Sequence, residues 1–379
     1  MQRSPIAALA AVTLTVLVAC NSGDALAPLA AKLQQANGQT ATAPNVPTVV
    51  VNGLQFPRGF AFGPDSAIYV AEAGTGVGDT TSTVGSCTQV PAPIGPWKGG
   101  SSGRISRVTM DGTRTTVIDG LPSASTPRGD VAGVTDVAFI SGKLYALVTA
   151  GCSHGHPNDP SSVLRIYKSS GTWSRVVNLS RWIKNHPAAS TNPADFEPDG
   201  NWYSMVASVD RLFVVEANQG NLARVRPDLQ TTSRIADISA TEDHIIPSGL
   251  ANSGTDNSFY LGELTPLPAY GSVASVLRYS RAGAVLARLT GFTAVTGVAT
   301  DAAGNVYVLE SFTCPSTAPC YPSVGVGRVI KVAPDGSRTP VAIGLSFPTA
   351  LRMGPDGALY VTNFSYGQPN VGQILRIAL

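Results

Sequence analysis

The sequence predicts an all-β protein, a six-bladed β-propeller with four antiparallel strands in each blade. Three observations predict it. A strand–turn–strand pattern recurs along the chain, for example PDSAIYVAEA at residues 64–73 and PDGALYVTNF at residues 355–364. The 39 glycines and 28 prolines are spread over the 379 residues, as expected for many short strands joined by tight turns. The last repeat is one strand short, and the N-terminal segment resembles the strand that it lacks.

The repeated unit has two markers, an aromatic residue in its second strand and a basic residue in its third. The second-strand aromatics are Tyr69, Tyr145, Phe213, Tyr260, Tyr307 and Tyr360. The third-strand basic residues are Arg107, Arg165, Arg224, Arg278, Lys331 and Arg376. Four strands repeated six times, with Gly and Asp turns between them, indicate a β-propeller.

The two ends of the chain predict how the ring closes. The sixth unit stops after its third strand, at Leu379. Residues 48–54, TVVVNGL, resemble the fourth strands at residues 115–121, TTVIDGL, and 340–345, PVAIGL. We therefore expect the N-terminal strand to pair in the last blade, because an open ring would leave two unpaired sheet edges.

Connection lengths predict which face of the propeller carries function. One face of the propeller holds the links from second to third strands and from each fourth strand to the next unit, and we call it the loop face. The opposite side is the turn face. Links of the turn face are minimal, whereas residues 72–107, 178–208 and 310–331 form long links on the loop face. Long loops on a rigid scaffold usually carry function, so the loop face is the predicted functional face.

The first residues predict export and a lipid anchor. Arg3 precedes a short apolar run at residues 6–18, and the sequence LVAC at residues 17–20 resembles a bacterial lipobox. We expect residues 1–19 to be a signal peptide, Cys20 to be lipidated and residues 20–47 to be a tether. The protein would then be extracytoplasmic, held to a bacterial membrane in the periplasm or at the cell surface. The alternative is an ordinary secretory signal with an unmodified cysteine.

Four further cysteines, Cys87, Cys152, Cys314 and Cys320, allow three disulfide connectivities in an exported protein. Cys314 and Cys320 are six residues apart in a proline-rich link, so a bond between them closes a short loop. Cys87–Cys152 then follows by elimination. The alternative is that all four remain free thiols.

Candidate site residues fall into two sets. Arg58, Asp136 and Tyr203 begin first strands, which lie nearest the central channel, and Asn218 follows a second strand. The other set recurs three residues after the second-strand aromatic. It comprises Glu72, Glu216, Glu263, Glu310 and Asn363. This rim set is either a ring of acceptors for a cation, polyol or amine, or a brace that binds backbone amides or the basic residue of the same blade. The brace is favoured, because a repeated position usually serves the architecture of the repeat.

Several functions are not indicated. Charged residues make up 13% of the chain with a net charge of +2, and no basic block predicts nucleic-acid binding. First strands contribute a single carboxylate, whereas a calcium site needs several oxygen ligands. The pair His154 and His156 is typical of a loop, and neither a G-x-S-x-G elbow nor a phosphate loop is present. We expect no cofactor and a monomer.

Several motifs resemble the ScyD/ScyE family of exported proteins over residues 48–379. They are NGL at 52–54, PRGFAFGPD at 57–65, YVAEAG at 69–74, PSGL at 247–250, LGELT at 261–265 and YVTNF at 360–364. The resemblance implies a six-bladed extracytoplasmic propeller whose biochemical role is undefined. The chain departs from the family where Cys87 stands alone in the first long link, and where residues 199–204, DGNWYS, replace an Asn-Pro-Tyr-Gly stretch.

The leading functional hypothesis is a tethered propeller that binds a small or extended ligand on its loop face and performs no chemistry. The first alternative is a propeller enzyme, either a hydrolase or lactonase or a quinone-dependent sugar dehydrogenase. Such enzymes gather carboxylates, Asn or His at the channel mouth. The second alternative is a scaffold for partner proteins, which requires an exposed apolar patch on the loop face.

Overall fold

The computed structural model describes residues 44–76, 81–92 and 94–379. The predicted signal peptide, Cys20 and most of the predicted tether lie outside the described residues. The strands form six four-stranded antiparallel blades, which confirms the predicted fold class. Two helices, Leu179–Asn185 and Ser239–Glu242, and a 3-10 turn at Cys152–His154 lie in the links of the loop face.

Each blade runs from an inner strand at the channel to an outer strand. Blade 1 contains Pro57–Phe62, Ile68–Glu72, Lys98–Val108 and Arg114–Ser125, with short strands at Thr81–Ser82 and Val131–Ala132. Blade 2 contains Val134–Ile140, Lys143–Val148, Ser162–Tyr167 and Thr172–Asn178. Blade 3 contains Trp202–Ser208, Arg211–Glu216, Asn221–Arg226 and Thr231–Asp237. Blade 4 contains Ile246–Asn252, Ser258–Leu264, Ala274–Ser280 and Val285–Phe292. Blade 5 contains Val295–Thr300, Val306–Glu310, Gly327–Val332 and Arg338–Leu345.

Blade 6 joins the two ends of the chain. From the channel outward its first three strands are Leu351–Met353, Leu359–Asn363 and Gly372–Ile377, and its outer strand is Thr48–Leu54. The outer strand pairs antiparallel with Gly372–Ile377, so the predicted ring closure is confirmed. Contacts begin before this strand, because the Asn45 side chain donates a 2.6 Å hydrogen bond to the carbonyl of Ala378.

The hydrophobic core is divided among the interfaces between neighbouring blades. Strands alternate their side chains between two faces, and each blade packs one face on the preceding blade and the other on the following blade. The interface between blades 6 and 1 packs Val51 and Leu54 of the N-terminal strand against Phe60 and Ile68. Equivalent clusters lie at each of the five remaining interfaces between neighbouring blades.

The recurring PD-x-x-x-Y motif builds the turns of the turn face. Asp65 accepts hydrogen bonds from the Tyr69 hydroxyl at 3.2 Å and from Arg107 at 2.7 Å. The sixth blade repeats this arrangement, with Asp356 bound to the Tyr360 hydroxyl at 3.1 Å and to Arg376 at 2.8 Å. The repeated motif therefore locks a turn to two strands of its own blade.

The glycine that precedes each of these turns is required by packing. A Cβ atom on Gly63 would lie 2.5 Å from the Tyr69 ring, and one on Gly354 would lie 2.4 Å from the Tyr360 ring. Real Cβ contacts are not this short, so the aromatic ring can cover the turn only where glycine is present.

Both disulfides form as predicted. Cys87–Cys152 joins the loop-face links of blades 1 and 2, and Cys314–Cys320 closes a loop within blade 5. Structural disulfides indicate an oxidising, extracytoplasmic environment. None of the described helices has the length and apolarity that spanning a bilayer requires.

Ring closure predicts different costs for two valines of the N-terminal strand. Val51 is 7% exposed and Val49 is 53% exposed. We expect Val51→Ala to lower the free energy of unfolding by about 1–2 kcal/mol, because it removes two methyl groups from the interface between blades 6 and 1. Chemical denaturation measures the free energy of unfolding of this variant and of a control. Val49→Ala is the matched control and should change stability little; equal losses would contradict the closure.

Candidate functional site

A cavity of about 530 Å³ lies at the mouth of the central channel on the loop face. Its floor is formed where inner strands begin, at Arg58, Asp136 and Tyr203. Links of the loop face form its walls, including Trp97 of blade 1 and residues 264–267 of blade 4. The size is typical of a site for a small organic ligand.

The structure separates the predicted site residues into two groups. Arg58, Asp136, Tyr203 and Asn218 line the cavity. The rim set lies behind it, each member at most 5% exposed, and comprises Glu72, Glu216, Glu263, Glu310 and Asn363. The loop face thus brings together the first group and leaves the second inside the blades.

The rim set binds backbone amides. Glu72 accepts from the Gln55 amide at 2.6 Å, and Glu310 accepts from the Thr293 amide at 2.7 Å. Asn363 accepts in the same way from Ser346 at 2.7 Å. These amides lie in the link that enters the same blade, so each polar side chain holds that link. Within the described ranges, no group of three or more His, Cys, Asp or Glu side chains is placed to hold a metal ion.

The basic partners of the rim set differ from those expected. Glu72 pairs with Arg114 at 2.7 Å and Glu310 pairs with Arg328 at 2.5 Å. The repeated third-strand residues, such as Arg107 and Arg376, bind aspartates of the turn face instead. Arg107 lies opposite Tyr69, three positions along the strand from Glu72, so roughly 10 Å separates it from the rim. The rim carboxylates therefore bind backbone amides and other arginines of their own blade, and not the repeated third-strand residue.

Asp136 joins the inner strands of several blades. One carboxylate oxygen accepts from the Met205 amide at 2.8 Å, the Ser204 hydroxyl at 3.2 Å and the Arg352 guanidinium at 2.8 Å. The other accepts from the amide of Val137 at 2.9 Å. Burial raises the pKa of Asp136, and the charge of Arg352 opposes that rise. Four donors of the protein already bind this carboxylate, so Asp136 acts as an internal acceptor that joins the inner strands.

Asp136 also explains why glycine follows Arg58. A Cβ atom on Gly59 would lie 2.0 Å from a carboxylate oxygen of Asp136. The inner strand of blade 1 must therefore lack a side chain at this point. Arg352 of blade 6 and Asp136 of blade 2 meet across it, so the carboxylate ties together blades that are not neighbours.

Sequence reasoning missed an acidic segment on the cavity wall. Asp195 binds His244 at 3.1 Å, and Glu197 binds the buried His154 at 3.2 Å. The hydrogen bond that His244 donates to Asp195 raises the pKa of His244. Asn218 positions this segment, since its amide group accepts from the Glu197 amide at 2.8 Å and donates to the Asp195 carbonyl at 2.7 Å. The long link at residues 178–208 was the only signal in the sequence.

Arg58 and Tyr203 occupy the floor of the cavity. One Arg58 nitrogen donates a 2.7 Å hydrogen bond to the carbonyl of Val131. The Tyr203 hydroxyl reaches across the channel to the carbonyl of Thr349 at 3.4 Å. Burial lowers the pKa of Arg58 and raises the pKa of Tyr203 to about 12. Tyr203 is therefore a neutral hydrogen-bond donor at physiological pH.

No protein-family model matches the sequence, and no curated protein matches it significantly. The fold is similar to a putative oxidoreductase (glucose dehydrogenase) of Thermus thermophilus, with a TM-score of 0.54 and 16% identity over 88% of this chain and 100% of that one. It is also similar to PQQ-bound aldose sugar dehydrogenase of Streptomyces coelicolor, with a TM-score of 0.52 and 12% identity over 89% and 99%. A calcium-binding protein of Agrobacterium tumefaciens, regucalcin, has a TM-score of 0.51 and 13% identity over 88% and 95%. At these identities the likeness concerns the fold alone.

The contacts of Asp136 predict a large loss of stability on substitution. Asp136→Asn should lower the free energy of unfolding by roughly 3 kcal/mol or more, because the partly buried Arg352 loses its counter-ion. Asp65→Asn is a suitable control, since it removes an exposed pair with Arg107 and should cost about 1 kcal/mol or less. Chemical denaturation compares the two; a small loss for Asp136→Asn would contradict the structural role.

Burial of Glu216 predicts a pH dependence of stability. Burial raises its pKa from 4.5 to about 7, although the amides of Asn201, Asn218 and Gln219 donate to the carboxylate. The folded state then holds an extra proton between about pH 4.5 and 7. The stability contributed by Glu216 is complete below this window and is lost as the pH rises through it, by a few kcal/mol at most, about 1.4 kcal/mol per pKa unit.

Denaturation at pH 5 and pH 8 measures this dependence. We expect the wild type to lose more stability over this interval than Glu216→Gln, which cannot titrate at this position. Identical pH profiles would show that the three amides keep the carboxylate ionised throughout.

Proposed function

We propose that this protein is an extracytoplasmic propeller that binds a small ligand in the cavity of its loop face and performs no chemistry there. The supporting observation is the cavity itself, about 530 Å³ at the channel mouth, where a few fixed polar groups face apolar walls. Attachment to a bacterial membrane through lipidated Cys20, and membership of the ScyD/ScyE family, are parts of the same proposal.

The floor and walls of the cavity supply different interactions. Arg58 offers N–H donors on a side chain that its hydrogen bond to the carbonyl of Val131 holds in place, and Tyr203 offers its hydroxyl, whose one proton now makes a long contact with the carbonyl of Thr349. Trp97, which is 3% exposed, and Leu264 and Leu267 offer apolar surface. A ligand with a polar head and a flat or apolar body fits this combination.

The second candidate is a hydrolase-like or lactonase-like enzyme, favoured by the two carboxylate–histidine pairs on the cavity wall. Asp195 and Glu197 line the cavity, and each is hydrogen-bonded to a histidine, an arrangement of the kind that general acid–base catalysis uses. Asp136, in contrast, is occupied by internal donors. Turnover of a lactone or ester that is abolished by Glu197→Gln would favour this candidate over simple binding.

A scaffold for partner proteins is the third candidate, favoured by apolar side chains on the loop face. The links of blades 4 and 5 are joined by backbone hydrogen bonds between Ala269 and Cys320. These two links carry exposed side chains, each between 44% and 66% exposed, at Leu267, Tyr270, Val273, Tyr321 and Val324. A stable complex with a periplasmic or surface protein that is lost in Tyr321→Ser would support this role.

A cavity-filling substitution tests the proposed function. The probe is 2-naphthamide, an uncharged aromatic small enough for the cavity, and ligand-observed NMR measures its affinity. We expect saturable binding to the wild type that Leu267→Trp weakens severalfold, because the indole occupies the cavity. Leu229→Trp is the matched control, since Leu229 is a similarly exposed leucine on the turn face. Absent binding, or equal binding by both variants, would contradict the proposal.

A further inference from the structure

Arg58 is placed so that most of its hydrogen-bonding capacity faces the cavity. The residue begins the inner strand of blade 1 and is partly buried. Its contact with the carbonyl of Val131 uses one of the two terminal nitrogens. A guanidinium has five N–H groups in a planar fork, so several donors remain available on a side chain whose direction is already fixed.

Arg58 is also unlike the other arginines of the cavity. Arg352 pairs with Asp136 at 2.8 Å, and Arg128 lies 3.7 Å from Asp130. Within the described part of the chain, no carboxylate oxygen lies within 4 Å of Arg58. The charge of the Asp130 carboxylate acts on Arg58 from a greater distance, and Asp130 is already paired with Arg128 and bound by the Thr126 hydroxyl.

Keeping this charge partly buried has a cost. Removing a cation from water is unfavourable unless an anion or several acceptors replace its hydration. Burial is the largest influence on Arg58 and acts against its charged form. Such a group is stabilised when a ligand brings the missing anion, and then the ionic contact forms in a site shielded from water.

We propose that Arg58 and the hydroxyl of Tyr203 bind the carboxylate of an organic acid, whose apolar body lies against Trp97 and Leu267. This inference rests on the proposed function and names the class of ligand. Tyr203 lies close enough to Arg58 for the two groups to influence each other electrostatically, and its present hydrogen bond of 3.4 Å is long. The bound carboxylate would accept from the guanidinium of Arg58 and from the Tyr203 hydroxyl, whose single proton turns from the carbonyl of Thr349 to the ligand.

The charges around the cavity favour a monoanion. A carboxylate matches one planar guanidinium in both charge and shape. A phosphate monoester carries about two negative charges near neutral pH and would meet one unpaired cation together with Asp130, Asp195 and Glu197 on the surrounding wall. The acidic wall therefore works against a dianion, while a single carboxylate is balanced by Arg58 alone.

Two probes of the same size test the inference. Ligand-observed NMR measures the affinities of 2-naphthoate and 2-naphthamide for the full protein. We expect the wild type to bind 2-naphthoate roughly tenfold or more tightly, because only the carboxylate forms the charge-assisted contact. Arg58→Gln should remove this preference while 2-naphthamide still binds. Arg128→Gln is the control and should retain the preference, since its charge already has a partner and is 45% exposed.

The stability of the ligand-free protein distinguishes a binding role of Arg58 from a structural role, because the two roles predict opposite effects of Arg58→Gln. Arg58→Gln should leave the free energy of unfolding of the ligand-free protein unchanged or raise it, because a costly charge is removed. A large loss of stability would make Arg58 a structural residue and would overturn the inference. If the wild type binds both probes equally, only the carboxylate inference is overturned. If neither probe binds, the proposed function is overturned as well.

Discussion

The pairing of Thr48–Leu54 with Gly372–Ile377 is the contact on which the rest of the molecule depends. Without it, blade 6 would expose an edge and the interface that holds Val51 and Phe60 would lack one side. The closed ring also fixes the inner strands around one channel. The hydroxyl of Thr349 in blade 6 reaches the carbonyl of Pro57 in blade 1 at 3.2 Å, directly beside Arg58. The candidate site is therefore assembled from opposite ends of the chain.

Closure leaves buried polar groups along the channel that need hydrogen-bond partners. Beneath the cavity, Asp136 provides an acceptor for several of them. Its hydrogen bonds to Met205 and Arg352 draw blades 2, 3 and 6 together. Hydrogen bonds between inner strands continue around the ring, for example from Ser248 to the carbonyl of Val295 and from Thr296 to that of Pro348. Hydrogen bonds between the inner strands thus hold the channel together beneath the cavity of the loop face.

Local signals made the fold predictable from the sequence. The turn around Asp65 and the six-residue spacing of Cys314 and Cys320 act over short distances, so their patterns are visible in the residue order. Partners of Asp136 lie 69 and 216 positions away, and no local pattern reports them. The acidic segment at Asp195 was equally hidden, because it lies in a long link whose path is set by tertiary contacts. The arginine partners of the rim glutamates were hidden for a similar reason, because the repeat shows which residues recur but not which of them lie at the same end of the strands.

Repetition itself separates architecture from function in this molecule. A residue that recurs at one position of the repeat serves a need that the blades share, and in blades 1, 5 and 6 the rim residue accordingly holds the link that enters the blade. A ligand on the ring axis meets six blades at once and requires different groups from different directions. The starts of the six inner strands provide this variety. They contribute the cation of Arg58, the buried carboxylate of Asp136, the phenol of Tyr203, and the hydroxyls of Ser248, Thr296 and Thr349. Of these, Asp136 is satisfied within the protein, whereas Arg58 is charged, fixed in direction and without a counter-ion among the described residues. The position that departs most from the repeat is therefore the one at which the fold leaves an interaction for a ligand to complete.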